Sequence, residues 1–120
     1  MKAKIGILSE ELARKRMIRI AEGKVTAEEP YPQFLFESLA ALSQLLSNEN
    51  VELLNLIARE KPNSLDALAE MSGRSIKDVT DTFEALSYKG FACIETKGGQ
   101  SRPIALFTTF EIVVGSSLLL

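Results

Sequence analysis

The chain has 120 residues, of which 46% are hydrophobic and 25% charged, and its formal net charge is −2. This size and composition predict one compact folded unit with a core of its own and exclude a disordered chain. Because the sequence holds no histidine and only one cysteine, Cys93, it excludes Cys/His zinc sites, imidazole catalysis and an internal disulfide. A single cysteine is typical of a cytoplasmic protein. No apolar run reaches the roughly 18 residues of a membrane span, and we expect no membrane, metal or cofactor.

The N-terminal segment predicts a strand followed by a helix. Residues 2–8 form a short, largely apolar strand pattern. Ser9 is a suitable N-cap for a helix that stops at Gly23. That helix carries four basic side chains: Arg14, Lys15, Arg16 and Arg19. They form either a solvated face or a set of contacts to phosphate or a partner, and Arg14, Arg16 and Arg19 are the possible accessory contacts to a nucleic-acid backbone.

The middle of the chain predicts a linker and then helices. Residues 24–32 contain Pro30 and Pro32 and predict a linker, and residues 33–36 are a short extended piece. Four helices follow: about 37–46, one capped by Ser47 and closed by Pro62, 64–72, and 75–89 ended by Gly90. We therefore assign residues 1–36 to an N-terminal strand-helix extension with its linker, and residues 37–120 to the main domain, within one compact unit.

After Gly90 the hydrophobic period changes from helical to two, which indicates strands. Residues 91–96 predict a strand, 97–102 a glycine-rich turn and 103–107 a returning strand. A last apolar strand is predicted at 110–114. We expect it to pair with residues 2–8, because each strand otherwise leaves its backbone groups without partners.

The sharpest local pattern is the spacing of Ala69, Gly73 and Val79. A helix-turn-helix needs a small residue where its helices meet, a turn residue that tolerates positive φ, and an apolar residue facing back into the corner. These three residues fill those roles, and Ser75 and Asp78 suggest a shortened capping box at the second helix. The predicted core around the corner comprises Leu65, Leu68, Phe83 and Leu86. A helix before the pair and a hairpin after it predict an α+β fold of the winged helix-turn-helix class.

The segment ENVELLNLIAREKPNSLDALAEMSGRSIKDVTDTFEALSYKGF resembles small bacterial and archaeal winged-helix regulators of the MarR-like kind, with KPNSLDALAEMSGR as its most specific part. The resemblance extends through SEELARKRMIRIAEGK, FESLAALSQLLS and SRPIALFTTFEIVV, and so covers nearly the whole chain. It implies sequence-specific binding of double-stranded promoter DNA by a dimer. It also implies an autoregulating repressor, or an antitoxin whose partner is a cognate toxin.

On this interpretation the second helix of the pair and the hairpin tip contact DNA. The expected recognition-helix residues are Arg74, Ser75, Lys77, Asp78, Thr80 and Asp81. The expected wing residues are Lys97, Gln100, Ser101 and Arg102, which could instead only keep the hairpin soluble. The acids depart from the resembled family, which tends to carry Asn, Ser, His or Arg at exposed positions here. Asp81 and Glu84 would meet DNA phosphates with like charge.

Three classes of function therefore remain open. A DNA-binding regulator is favoured by the order of elements and by the resemblance. A winged-helix module that binds only protein is the alternative, favoured by the acidic helix and the negative net charge. An enzyme is disfavoured, because no carboxylate is matched with a nucleophile, a metal set or a phosphate loop.

We expect a homodimer, since the apolar residues of the first helix and of the C-terminal tail exceed what one small domain buries. These residues are Met17, Ile18, Ile20, Leu118, Leu119 and Leu120.

Overall fold

The computed structural model describes residues 2–23 and 32–114, which form an α+β arrangement of five helices and five strands. In chain order they are β1 (Lys2–Ile7), α1 (Glu10–Ala21), β2 (Phe34–Phe36), α2 (Leu39–Leu45), α3 (Asn48–Glu60), α4 (Leu65–Ser72), α5 (Ile76–Lys89), β3 (Ala92–Lys97), β4 (Gln100–Ala105) and β5 (Thr109–Val114). No helix in these two ranges is long and apolar enough to cross a bilayer. Leu118, Leu119 and Leu120, and all of the predicted linker except Pro32, lie outside the described residues.

The chain divides into two compact units. Of the described residues, the helical unit comprises 45–108, and the sheet unit combines 2–23 and 32–44 with 109–114. This division differs from the boundary expected between residues 36 and 37, because the last strand joins the first strand in one sheet rather than the helices before it.

The sheet unit is built around β1, which lies between β2 and β5 and runs parallel to both. Ile5 is opposite Phe34 of β2 and Ile112 of β5, and it is fully buried with Ala3. The predicted pairing of residues 110–114 with residues 2–8 is confirmed. The extended piece at 33–36 contributes the third strand. Because β1 and β2 are parallel, they need a crossover between them, and α1 supplies it.

Four serines start helices in the way that the sequence predicts. Ser9, Ser47, Ser64 and Ser75 are the N-caps of α1, α3, α4 and α5, and each side chain accepts a hydrogen bond from the backbone N–H three residues on. The cap satisfies one of the N–H groups that the first turn of a helix leaves without a partner. At the other end, the left-handed conformation of Gly90 closes α5, as expected.

The core of the helical unit consists of apolar side chains. Leu54, Leu68, Val79, Phe83 and Leu86 are buried, which confirms three of the four predicted core residues around the corner; Leu65 is half-buried. Phe91, directly after α5, is 0% exposed. Its ring meets Phe107 edge to face at a centroid distance of 6.5 Å, an arrangement that aromatic quadrupoles favour.

The hairpin is tighter than the sequence predicts, and the prediction of a six-residue turn at 97–102 is wrong. Strands β3 and β4 are joined by two residues, Gly98 and Gly99, with φ values of 59° and 81°, and Lys97 pairs with Gln100. Positive φ at both central residues matches the right-handed twist of the strands, so that a Gly-Gly pair closes a hairpin without a longer loop. Gln100, Ser101 and Arg102 are therefore strand residues.

Candidate nucleic-acid interface

The corner between α4 and α5 has the local geometry that the sequence pattern requires. Gly73 ends α4 with φ 76° and donates its N–H to the carbonyl of Ala69 at 3.0 Å. Ala69 and Val79 are both buried. A short connection, completed by Arg74 and the N-cap Ser75, thus links the two helices and leaves the first turn of α5 exposed.

Helix α5 presents one face to the core and the opposite face to solvent. Val79, Phe83 and Leu86 form the buried face. The exposed side chains on the far side recur at helical spacing, and we call them the outer stripe: Lys77, Asp81, Glu84 and Tyr88. Among the other predicted recognition residues, Ser75 and Asp78 are exposed and Thr80 is half-buried.

The charge at the start of the outer stripe is compensated within the helix. The Lys77 ammonium donates to the Asp81 carboxylate at 2.8 Å. This hydrogen bond, together with the attraction between the two charges, raises the pKa of Lys77 above its ordinary value. Lys77 therefore stays charged at neutral pH, but a phosphate must compete with Asp81 for it.

Arg74 is held by side chains from two helices. Its Nε donates to Asp78 Oδ2 at 2.7 Å and its Nη2 donates to Thr82 Oγ1 at 2.7 Å. Its Nη1 donates to Asn50 Oδ1 of α3 at 3.3 Å. With 20% of its side chain exposed, Arg74 connects α3 to α5. The sequence predicts Arg74 as a DNA contact, and the structure places its guanidinium inside the protein's own hydrogen-bond network.

Asp78 has two separate roles in the first turn of α5. Its backbone N–H donates to the Ser75 hydroxyl at 3.1 Å, as a capped helix requires. Its carboxylate accepts from Arg74, and this hydrogen bond holds the pKa of Asp78 below its ordinary value. The predicted capping box therefore identifies the cap correctly, but it does not foresee the partner of the carboxylate.

The Asp78 interaction predicts a pH-dependent contribution to stability. Because the folded-state pKa of Asp78 is lowered, the stabilisation is present above the unfolded-state pKa of about 3.9 and is lost as the pH falls through the folded value. We expect Asp78→Asn to unfold at lower urea concentration than the unmodified protein at pH 7, and the difference to shrink as the pH falls below about 4. Asp81→Asn, which breaks an exposed pair, is the matched control and should cost less at pH 7. If the loss of stability caused by Asp78→Asn stayed constant down to low pH, the stabilising interaction assigned to the Asp78 carboxylate would be wrong.

The hairpin gathers three of the four predicted wing residues on one face. Lys97, Gln100 and Arg102 line a cleft of about 260 Å³ together with Glu95 and Asn63. Arg102 Nη2 lies 2.8 Å from Glu95 Oε1 across the strand pair, so that its charge is partly compensated. Lys97 lies at the end of β3, next to the Gly-Gly turn, and is exposed.

Ser101 does not share this face of the hairpin. Its hydroxyl lies 3.2 Å from the hydroxyl of Thr96, the residue opposite it in the strand register. Because side chains alternate along a strand, Ser101 and Thr96 point away from Lys97 and Arg102.

The accessory residues of α1 belong to the sheet unit and differ in exposure. Arg14 is exposed, with Glu10 at 3.9 Å. Arg16 is 4% exposed and interacts within the protein. Arg19 is half-buried, and its buried Nε donates no hydrogen bond within the described part of the chain. Of the three predicted accessory contacts, Arg14 offers the most surface to a nucleic-acid backbone.

Two residues of this region escape sequence reasoning. Tyr88 is 94% exposed and lies three helical turns after Lys77, so that projection of α5 onto a helical wheel could have identified it. Asn50, the partner of Arg74, carries no comparable signal, because its contact crosses from α3 to α5.

A protein-family model, HVO_A0114, matches residues 45–112 of this chain. The match covers α3, α4, α5 and the hairpin and extends into β5. No curated protein matches the chain, and no solved structure does. Nothing in these comparisons points to MarR-like regulators or to antitoxins.

Proposed function

Starting from the finding that the chain belongs to the HVO_A0114 family, we propose that it is a winged helix-turn-helix protein that binds double-stranded DNA and regulates transcription. One observation carries the proposal. A helix pair joined at Gly73 is followed at once by a tight hairpin that gathers Lys97, Gln100 and Arg102 on one face. In winged-helix folds the second helix enters the major groove and the hairpin contacts the flanking backbone.

On this proposal the outer stripe of α5 faces the bases. Lys77 and Thr80 lie in the N-terminal half of α5, where the helix dipole favours phosphate. Tyr88 lies at the far end and adds an exposed hydroxyl and ring. We infer that Arg74 positions α5 against α3 instead of contacting DNA, because each of its three nitrogens already donates within the protein, to Asp78, Thr82 and Asn50.

The charge balance predicts modest affinity. Residues 45–108 carry seven basic and nine acidic side chains, and Asp81 and Glu84 lie on the outer stripe itself. Phosphate contacts must therefore come from a few local cations, of which Lys97 is the exposed one at the hairpin turn.

We expect Lys97→Ala to weaken binding to all DNA sequences alike and to reduce the slope of log K against log salt by about one unit. The measurement is fluorescence anisotropy at two salt concentrations on DNA from the region upstream of the protein's own gene.

Glu95→Gln should act in the opposite direction to Lys97→Ala in the same measurement. It frees Arg102 from its pair and should tighten binding about two- to fivefold, the range set by an exposed ion pair.

Arg59→Gln is the matched control for these variants, since it removes an exposed charge from α3 and leaves the hairpin unchanged. Equal effects of Lys97→Ala and Arg59→Gln would reject the hairpin as the DNA contact. If the unmodified protein does not bind DNA at low salt, the proposal fails as a whole.

Such a failure would favour the second candidate, a winged-helix module that binds protein only. Its specific support is the outer stripe, in which Lys77 is paired with Asp81 and the remaining side chains are Glu84 and the exposed Tyr88. An acidic stripe with an aromatic end suits a basic partner surface better than it suits phosphate.

The biological setting that we propose is an autoregulating repressor, active in the cytoplasm as a homodimer, with a toxin as a further partner if the module is a toxin–antitoxin pair. Binding to its own upstream region tests the repressor role. A short toxin-like reading frame beside the gene supports the antitoxin role, and a neighbour of unrelated type rejects it.

A further inference from the structure

The outer edge of β5 is an open strand edge. In the sheet unit β5 pairs with β1 on one side only, and within residues 2–23 and 32–114 no strand pairs with its other side. Ile112 and Val114 are 47% and 51% exposed. An edge of this kind presents backbone N–H and C=O groups to any strand that can align with them, and proteins usually guard it with lysine, proline or a bulge. The strand TFEIVV contains neither lysine nor proline.

The side chains of β5 alternate in a way that restricts its partner. In a parallel pair, residues in register point to the same face, so that Phe110, Ile112 and Val114 share the face of Ala3, Ile5 and Ile7. Glu111 shares the opposite face with Lys4, its neighbour in β1. The apolar face is therefore continuous from the centre of the sheet to its edge.

We propose that the partner is β5 of a second copy, paired antiparallel about a twofold axis at Ile112. This proposal specifies the interface of the homodimer proposed above. It rests on the proposed function only in requiring a second copy, and it does not require DNA binding. The result is one six-stranded sheet across the dimer, in the order β2-β1-β5-β5-β1-β2.

The register follows from the charge on Glu111. A twofold axis perpendicular to the sheet keeps the same face of both copies on the same side. Residues opposite each other must then come from the same face of the strand, so the axis passes through a residue position and not between two neighbouring positions. For a strand that runs from Thr109 to Val114, axes at 111 and at 112 give the longest overlaps. An axis at 111 sets Glu111 opposite its own copy, and directly opposed like charges are destabilising.

An axis at Ile112 removes this conflict, because no charged residue then lies opposite another charged residue. Ile112 faces its own copy, Phe110 faces Val114 of the second copy, and Glu111 faces Val113. Cross-strand pairs of aromatic and β-branched residues stabilise antiparallel sheets. A parallel second copy would need a twofold axis along the strands, which would turn the apolar face of one copy to the opposite side from that of the other and so interrupt the apolar face.

The first test is disulfide cross-linking in a Cys93→Ser protein, which has no other cysteine. Residues directly opposite each other in an antiparallel pair have Cβ atoms close enough for a disulfide, whereas diagonal neighbours do not. We expect an added Ile112→Cys change to give a covalent dimer on mild oxidation at least about tenfold faster than Glu111→Cys, since only the former meets its own copy directly. Equal rates, a faster Glu111→Cys reaction, or no covalent dimer from either protein would overturn the proposal.

The second test is sedimentation of the full chain without DNA at about 30 µM, a concentration generous for a stable contact. Ile112→Lys sets two cations opposite each other and should give monomers. Thr109→Lys adds the same charge to an exposed position at the end of the strand and should leave the dimer intact. Circular dichroism must show that both variants are folded. An unmodified protein that is monomeric, or a dimer that survives Ile112→Lys, contradicts the interface, whether or not DNA binding is observed.

Discussion

Phe91→Ala is expected to lower the free energy of unfolding by about 3–5 kcal/mol, the largest loss that we expect for a single substitution in this chain. Phe91 is fully buried directly after Gly90, and its ring packs edge to face on Phe107. Its backbone carbonyl also accepts from the Leu106 N–H at 2.9 Å, directly after the end of β4. Alanine removes the ring and leaves a cavity that the surrounding helices cannot fill.

The measurement is urea unfolding followed by circular dichroism, with two controls. Phe91→Leu keeps most of the apolar volume and should cost clearly less than alanine. Tyr88→Ala removes a ring of similar size from the same part of the chain, but from a fully exposed position, and should change stability by less than about 0.5 kcal/mol. If Phe91→Ala and Tyr88→Ala had similar effects, the packing described around Phe91 would be wrong.

Arg74→Ala is expected to cost about 1.5–3 kcal/mol, because it removes the charged donor that Asp78, Thr82 and Asn50 share. Arg74→Lys should recover only part of this loss, since an ammonium cannot reproduce the three-way geometry of a guanidinium. Arg59→Ala, which breaks an exposed pair with Glu60, is the control and should fall within about 0.5 kcal/mol of the unmodified protein.

DNA binding by the same variants distinguishes two roles for Arg74. If Arg74 positions α5, Arg74→Ala weakens binding but leaves the slope of log K against log salt unchanged. If Arg74 contacts a phosphate, the slope falls by about 0.9 units. A loss of slope at full folded stability would restore Arg74 to the set of DNA contacts and contradict the network as its main role.

The parts of the fold that the sequence predicts well depend on local chemistry. Ser9, Ser47, Ser64 and Ser75 mark helix starts because a cap needs only a short polar side chain and the next turn of backbone. The pairing of β5 with β1 could also be predicted, because two short apolar strands had no other partner. The parallel direction of that pair, and the part played by β2, could not be inferred from the strands alone.

The candidate site is harder to predict, because its geometry depends on register and on contacts between distant residues. A two-residue turn at Gly98 and Gly99 moves Gln100, Ser101 and Arg102 from a loop into β4, and strand alternation then separates Ser101 from the other two. The burial of Arg16 and the network of Arg74 escape prediction for a related reason. A basic residue in a sequence gives no indication of whether an acceptor lies nearby in the fold.

The first and the last described strands are neighbours in one sheet, and their separation in the sequence affects folding during synthesis. Lys2 pairs with Thr109, so β1 leaves the ribosome long before its neighbour β5 has been translated. The helical unit depends mainly on local contacts and can form early. The apolar side chains of β1 stay without their second partner strand until β5 has been translated. Folding of the sheet is therefore delayed until β5 has been translated. A ribosome that stalls before β5 leaves a chain with an unfinished sheet, a natural substrate for chaperones and proteases.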